Sequence, residues 1–182
     1  MGSERTAGRG LTAAALRLRP LRGRDETAFR AACEVLAAED FTFGLGLEPG
    51  MAWPDYLATL DKRRFDPDQP AGMAPGTFLV ADVAGQIVGR ASIRHKLNDF
   101  LARQGGHIGY AVLPGHRRRG YATEILRQSL VIARAVGVDR VLMICDEDNA
   151  GSRAVIEACG GKLDGIATIA SQPTPICRYW ID

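Results

Sequence analysis

No apolar run in the 182-residue chain approaches the roughly 18 residues that a membrane span requires. The opening Met1-Gly2-Ser3-Glu4-Arg5 leads into no adequate signal core, so no membrane partner and a cytoplasmic location are expected. Charge of one sign is missing as well: Lys and Arg number 23 against 21 Asp and Glu, a formal net charge of +2. That balance lacks the basic field of a nucleic-acid binder. There is no CxxC pair. Cys33, Cys145, Cys159 and Cys177 lie far apart, three of them inside apolar stretches, which reads as buried free thiols in a reducing compartment, and no metal is expected. No internal repeat is visible. What remains, 46% apolar and 24% charged residues, is the composition of one globular domain with a real core.

Residues 1–14, "MGSERTAGRGLTAA", are small, polar and aperiodic, and are expected to form a disordered extension before a single domain at 15–182. "LRLRPL" alternates apolar residues with arginine and predicts an edge strand closed by Pro20. From Arg24 an Ala-rich stretch places Phe29, Ala32, Cys33 and Leu36 at helical spacing. A second helix starts near Pro54, with Tyr56, Leu57 and Leu60 facing inward, and "DPDQPAGMAPG" is a loop. Two strands then flank the turn-like Ala84-Gly85, "KLNDFLARQGG" interrupts, and "HIGYAVLP" is the next strand. A long amphipathic helix follows, stopped by Gly137, and "VLMIC" is a continuous apolar strand. A short helix between Asn149 and Gly160 precedes two terminal strands, "KLDGIATI" and "ICRYWI". The order predicts an α/β (α+β) fold: a mixed, mostly antiparallel central sheet of about six or seven strands flanked by helices.

The densest chemistry lies in "HIGYAVLPGHRRRGYATEIL". A strand ending in Pro114-Gly115 and feeding a helix that begins near Gly120 places the amides of Arg118 to Ala122 at the positive end of a helix dipole. Such ends bind phosphate, Gly120 leaves the backbone open to close approach, and the arginines add charge around it. A solvated charge run at a helix start is the plainer alternative for this stretch alone.

Arg117-x-x-Gly120-x-Ala122 resembles motif A of the GNAT superfamily of acetyl-CoA-dependent N-acetyltransferases. The preceding strand, the long helix, "VLMIC" and "DNAGSRAVIEACGG" follow in the order that family shows, and the resemblance spans about residues 15 to 182. "GGHIGY" with the terminal "RYWI" is similar to one branch of predicted GNAT acetyltransferases. The resemblance implies a splayed pair of strands, here Ile108 to Leu113 and Val141 to Asp146, with acetyl-CoA between them. The backbone at Val112 and Leu113 would bond the pantetheine arm. The amides of Arg117, Arg118, Arg119, Gly120, Tyr121 and Ala122 would cradle the pyrophosphate, with Thr123 nearby. Asn149 matches an asparagine that touches the pantetheine, and Ser152 a polar position beside it. A homodimer is also compatible with the family's habits.

Amine acetylation needs a route for the amine's proton and an acid for the leaving thiolate. In many superfamily members that acid is a tyrosine seven residues after the asparagine matched by Asn149; here the position is Ile156. His107, at the head of the central strand, is a candidate base, with a structural strand histidine as the alternative. Tyr110, on the opposite strand face, is a candidate acid, with core packing as the alternative. His95 and Asn98 could close over a substrate or serve as cap and surface residues. Tyr179 and Trp180 fit the core or a pocket wall. Glu39 and Asp40 end the first helix, where they could meet a cationic amine or remain solvated. The expected activity is acetyl transfer from acetyl-CoA to a primary amine, on a small molecule or a peptide, by direct attack in a ternary complex. The alternative is a non-catalytic acyl-CoA-binding regulatory or interaction domain.

Overall fold

The computed structural model describes residues 15–66, 73–170 and 172–182; the proposed N-terminal extension and the middle of the 66–76 loop lie outside them. Strand β1 is Arg17–Arg19, helix α1 Glu26–Ala37 and helix α2 Trp53–Arg63. Strands β2 (Gly76–Val83) and β3 (Gln86–Arg94) form a hairpin, followed by β4 (Ile108–Val112), α3 (Tyr121–Ala135), β5 (Val141–Asp146), α4 (Ala150–Ala158), β6 (Lys162–Ala167) and β7 (Ile176–Ile181).

Local sequence accounts for most of these boundaries. Ala84 and Gly85 both adopt positive φ, 52° and 84°, as a two-residue turn joining right-twisted strands requires. Pro54 sits in the first turn of α2, where its missing N–H costs no helical bond. Gly137 and Gly160, each at φ 89°, end α3 and α4 in the left-handed conformation. The segment read as an interruption contains one more element, a wide helical turn at Leu101–Gly105 with i→i+5 bonding. Asn98 anchors its start, its Oδ1 accepting from Leu101 N–H at 2.9 Å and its Nδ2 donating to Met73 O.

The sheet comes in two parts. β1-β2-β3-β4 is an antiparallel four-stranded sheet, and β5-β7-β6 an antiparallel three-stranded one. α3 and α4 cover one face of the sheet, where Ile108 packs with Leu126, Leu130, Met143, Ile156 and Tyr179. α1 and α2 cover the other, around Phe29, Leu36, Trp53, Tyr56 and Phe78. Tyr179 is therefore core, while Trp180 is half-buried under the Arg140 guanidinium at 4.6 Å. The cysteine expectation needs correction: all four thiols are free, but only Cys177 is buried, because Cys33, Cys145 and Cys159 sit where helices meet the sheet margin. Among the described residues no helix is long and apolar enough to cross a membrane.

Candidate functional site

The two sheets meet at one residue pair. His107, just ahead of β4, donates its backbone N–H to Leu142 O at 2.7 Å, and its ring Nδ1 accepts from Leu142 N–H at 2.8 Å. Both contacts lie at the N-terminal ends of β4 and β5; beyond them the strands are not paired with each other. Antiparallel pairing with β3 uses alternate residues of β4: Leu113 N–H goes to Val88 O, and His107 O receives Arg94 N–H. By that alternation the N–H and C=O groups of Ile108, Tyr110 and Val112 turn to the edge that faces β5. An open edge results on one side of a wedge-shaped gap, suited to an extended peptide-like chain.

The gap opens toward the N-terminus of α3. Arg118 (φ 62°) and Gly120 (φ 77°) are both left-handed and flank Arg119, an alternation that turns successive N–H groups into one concavity. The backbone N–H groups of Arg118, Arg119, Gly120, Ala122 and Thr123 donate no hydrogen bond among the described residues, and the first helical bond runs from Glu124 N–H to Gly120 O. A non-glycine residue held at positive φ is strained, and here the strained residue shapes the concavity. This concavity at the head of a 15-residue helix fits a phosphate group.

The three arginines differ. Arg117 forms a fork-to-fork pair with Glu39 (2.5 and 3.1 Å), and its Nε donates to Val112 O at 3.2 Å. Arg119 turns back onto Gly115 O, and the Arg118 side chain makes no hydrogen bond or ion pair among the described residues. The Arg117 guanidinium holds the Glu39 carboxyl below its ordinary range, so Glu39 is paired with the loop before α3. Tyr121 contributes through its backbone, since its side chain is buried against Leu16, Val83 and Ile125. At Leu113 the N–H is committed to Val88 and the carbonyl already accepts from His116, whereas at Val112 the N–H faces the gap and the carbonyl accepts from Arg117 Nε.

At the far wall, Asn149 caps α4, its Oδ1 accepting from Ser152 N–H at 2.9 Å, and its side-chain NH2 makes no hydrogen bond among the described residues. Ser152 Oγ lies 3.0 Å from the Tyr110 hydroxyl, a bridge from β4 to α4 across the gap. Burial, only partly opposed by Ser152, pushes the Tyr110 phenol up to about 12. It stays protonated at neutral pH and can donate. Ile156 is fully buried in the core and offers no proton donor. His107 is 9% exposed. Burial first, then the Arg94 charge, holds its imidazole below the usual histidine range, and the N–H offered to Nδ1 assigns the neutral ring with its proton on Nε2. His95 Nε2 pairs with Thr77 Oγ1 at 2.9 Å. Among the described residues, no cluster of three or more His, Cys, Asp or Glu could hold a metal ion.

On the face of the sheet opposite α3, Arg90 of β3 lies beneath Phe41 and Thr42, and Arg94 donates to the carbonyls of Gly105 and Gly106.

The model of the acetyltransferase (GNAT) domain family matches residues 15–162. No curated protein sequence matches the chain significantly. Among solved structures, Mycobacterium smegmatis RimJ in complex with CoA-disulfide is 23% identical, with a TM-score of 0.65 over 91% of this chain and 81% of that one. Salmonella typhimurium yncA, determined with its cofactor acetyl-CoA, is 17% identical, with a TM-score of 0.61 over 92% and 94%. An acetyltransferase of the GNAT family from Streptococcus pneumoniae is 16% identical, with a TM-score of 0.64 over 91% and 98%.

Proposed function

The chain belongs to the GNAT acetyltransferase family, and from that premise we propose that it transfers the acetyl group of acetyl-CoA to a primary amine by direct attack within a ternary complex. The observation that carries this reading is the concavity formed by the amides of Arg118, Arg119, Gly120, Ala122 and Thr123, which donate no hydrogen bond among the described residues, set at the mouth of the β4/β5 gap. Those amides would hold the pyrophosphate, with Arg117 and Arg118 adding charge. The outward N–H of Val112, the N–H and C=O of Tyr110 and the side-chain amide of Asn149 would hold the pantetheine arm. Acetyl-CoA supplies an activated thioester. The amine nitrogen forms a bond to the acetyl carbon as the carbon–sulfur bond breaks, and the amine's surplus proton leaves to solvent.

Tyr110 is the group we assign to protonate the departing sulfur. Its phenol is protonated at working pH and spans the gap, which places it on β4 instead of the helix position held by Ile156. His107 we assign to holding the gap's apex, because its Nδ1 is committed to Leu142 N–H. The buried Ile156 is the one feature favouring a non-catalytic acyl-CoA-binding domain instead.

Gly120→Val tests the cleft. Gly120 holds φ 77°, which valine adopts only at a penalty, and the new side chain would stand in the concavity. Calorimetry should show acetyl-CoA affinity falling by roughly a hundredfold or more; unchanged affinity would remove the phosphate assignment. Thiol release from acetyl-CoA over amino acids, polyamines, aminoglycosides and peptide N-termini then separates the enzyme from the binding domain, which releases none.

A further inference from the structure

On the face of the sheet opposite α3, β3 carries Arg90 and Arg94, four residues apart and on the same side. Arg90 is 4% exposed. Its Nη2 donates to Thr42 O at 3.1 Å, its Nη1 lies 3.4 Å from Gly109 O, and its guanidinium stands 4.9 Å from the Phe41 ring and 5.9 Å from that of Phe78. Its Nε is buried and donates to nothing among the described residues. Arg94 Nη1 donates to Gly105 O and Gly106 O at 3.1 and 3.2 Å. No Asp or Glu forms an ion pair with either arginine among the described residues. Elsewhere the chain pairs its buried arginine: Arg19 is locked between Asp25 and Asp82.

A buried cation beside a second, partly buried one, with no counterion among the described residues, is costly, and burial together with Arg94 pushes the Arg90 guanidinium down to about 10. Holding the Phe41–Thr42 segment explains part of Arg90. It explains neither the orphaned Nε nor the second cation set beside the first.

The two guanidinium groups converge on one point. A Cβ placed on Gly109 of β4 would lie 3.6 and 3.8 Å from the two Nη atoms of Arg94 and 3.7 Å from Nη1 of Arg90. Ser92, Gly109, Ala111 and Arg94 around that point are only partly buried, so the patch opens to solvent. It adjoins the free edge of β4 on which the acyl donor was placed above. Extending the acetyltransferase reading on which it rests, we propose that the acceptor amine carries an oxyanion, with a carboxylate as the first choice and a phosphonate-type group as the second, held over Gly109 by Arg90 and Arg94. Guanidinium forks match both anions, and an incoming oxyanion would supply the counterion that these two arginines lack among the described residues.

The test uses matched acceptors with the full-length protein: the L-amino acids, their carboxamides, the corresponding decarboxylated amines, and 1-aminoalkylphosphonates, with spermidine as a cationic acceptor. Wild type should acetylate the best amino acid with kcat/KM at least roughly tenfold above its carboxamide and its decarboxylated amine. The phosphonate arm tells which oxyanion fits. Arg94→Gln should erase the preference by raising KM for the carboxylate while leaving KM for the carboxamide in place. Gly109→Ala should do the same with melting temperature unchanged, since its Cβ meets its neighbours at ordinary contact distance; a merely structural pair of arginines would not move that ratio. Equal rates for carboxylate and carboxamide, or selection of spermidine, overturn the proposal. Should no acceptor turn over, melting of the acetyl-CoA-loaded protein is read over the same panel, and no anion-dependent shift also overturns it. Acetyl-CoA binding is measured separately. Its absence would count against the cleft assignment, and the anion-dependent shift would then be judged on the free protein.

Discussion

His107 occupies the strand start where a base could sit, and its ring does the work of a backbone carbonyl. With Nδ1 accepting from Leu142 N–H, the imidazole closes the apex of the gap only while neutral. Its pKa in the folded protein is depressed, so the unfolded chain binds more protons and stability rises with pH across the window between the two values. The contribution is complete above the unfolded value, near 6.5, and declines as pH falls below it. His107→Asn should keep the acceptor at Oδ1 and flatten this part of the pH dependence, whereas His107→Ala should lose about 1 to 3 kcal/mol at pH 7 by leaving a buried N–H unpaired. Thermal melts of the three proteins from pH 5 to 8 decide it. Parallel pH profiles for wild type and His107→Asn would refute the role.

At the scale of elements, α4 would join a structural cap to the proposed ligand contact in one side chain. Asn149 Oδ1 caps the helix while its amide NH2 makes no hydrogen bond among the described residues. Asn149→Ala should cost about 1 kcal/mol of stability and weaken acetyl-CoA. Asn149→Asp keeps an N-cap acceptor and suits the helix dipole, so it should retain stability and lose affinity. If both variants bind acetyl-CoA like wild type, the asparagine is a cap alone. The cap was legible in the sequence, as were the Ala84-Gly85 hairpin and the glycine stops of α3 and α4, because each rests on short-range backbone chemistry. The wide turn at Leu101–Gly105 was not: "LARQG" has no periodicity to register, and its start depends on an asparagine side chain.

The same contrast holds for the site. The phosphate concavity could be read because a strand end, a glycine and a helix start are contiguous. Arg90 and Arg94 could not, since Arg90-x-Ser92-x-Arg94 alternates like the solvent face of a hairpin. The α1–α2 connection folds over Arg90, with Phe41 and Thr42 on top, and the carbonyls of Gly105 and Gly106 hold Arg94. Nor does local sequence distinguish Val112, whose N–H faces the gap, from Leu113, whose groups are spent on Val88 and His116; that depends on the register of β3 with β4.

At the scale of the whole molecule, the two sheets share few direct ties. The apex at His107 and Leu142 is one, and the Tyr110–Ser152 bridge is another. Arg117 ties the phosphate loop to the end of α1 through Glu39, an exposed pair worth at most about 1 kcal/mol. A ligand lying in the gap would bond β4 on one side and α4 on the other, adding a tie across the gap itself. Acetyl-CoA at about 100 times its Kd should stabilise the fold by about 2.7 kcal/mol, which corresponds to roughly 5 to 10 °C in melting temperature for a chain of this size. Protection should also be distributed in a particular way. Amide exchange should slow at Tyr110 and Val112 of β4, at Arg118 to Thr123, and at the start of α4 together, while α1 and α2 change little. Hydrogen exchange with and without acetyl-CoA measures this directly. Protection confined to the phosphate loop would mean that the nucleotide end binds without the arm entering the gap, and the amine would then have no thioester to attack.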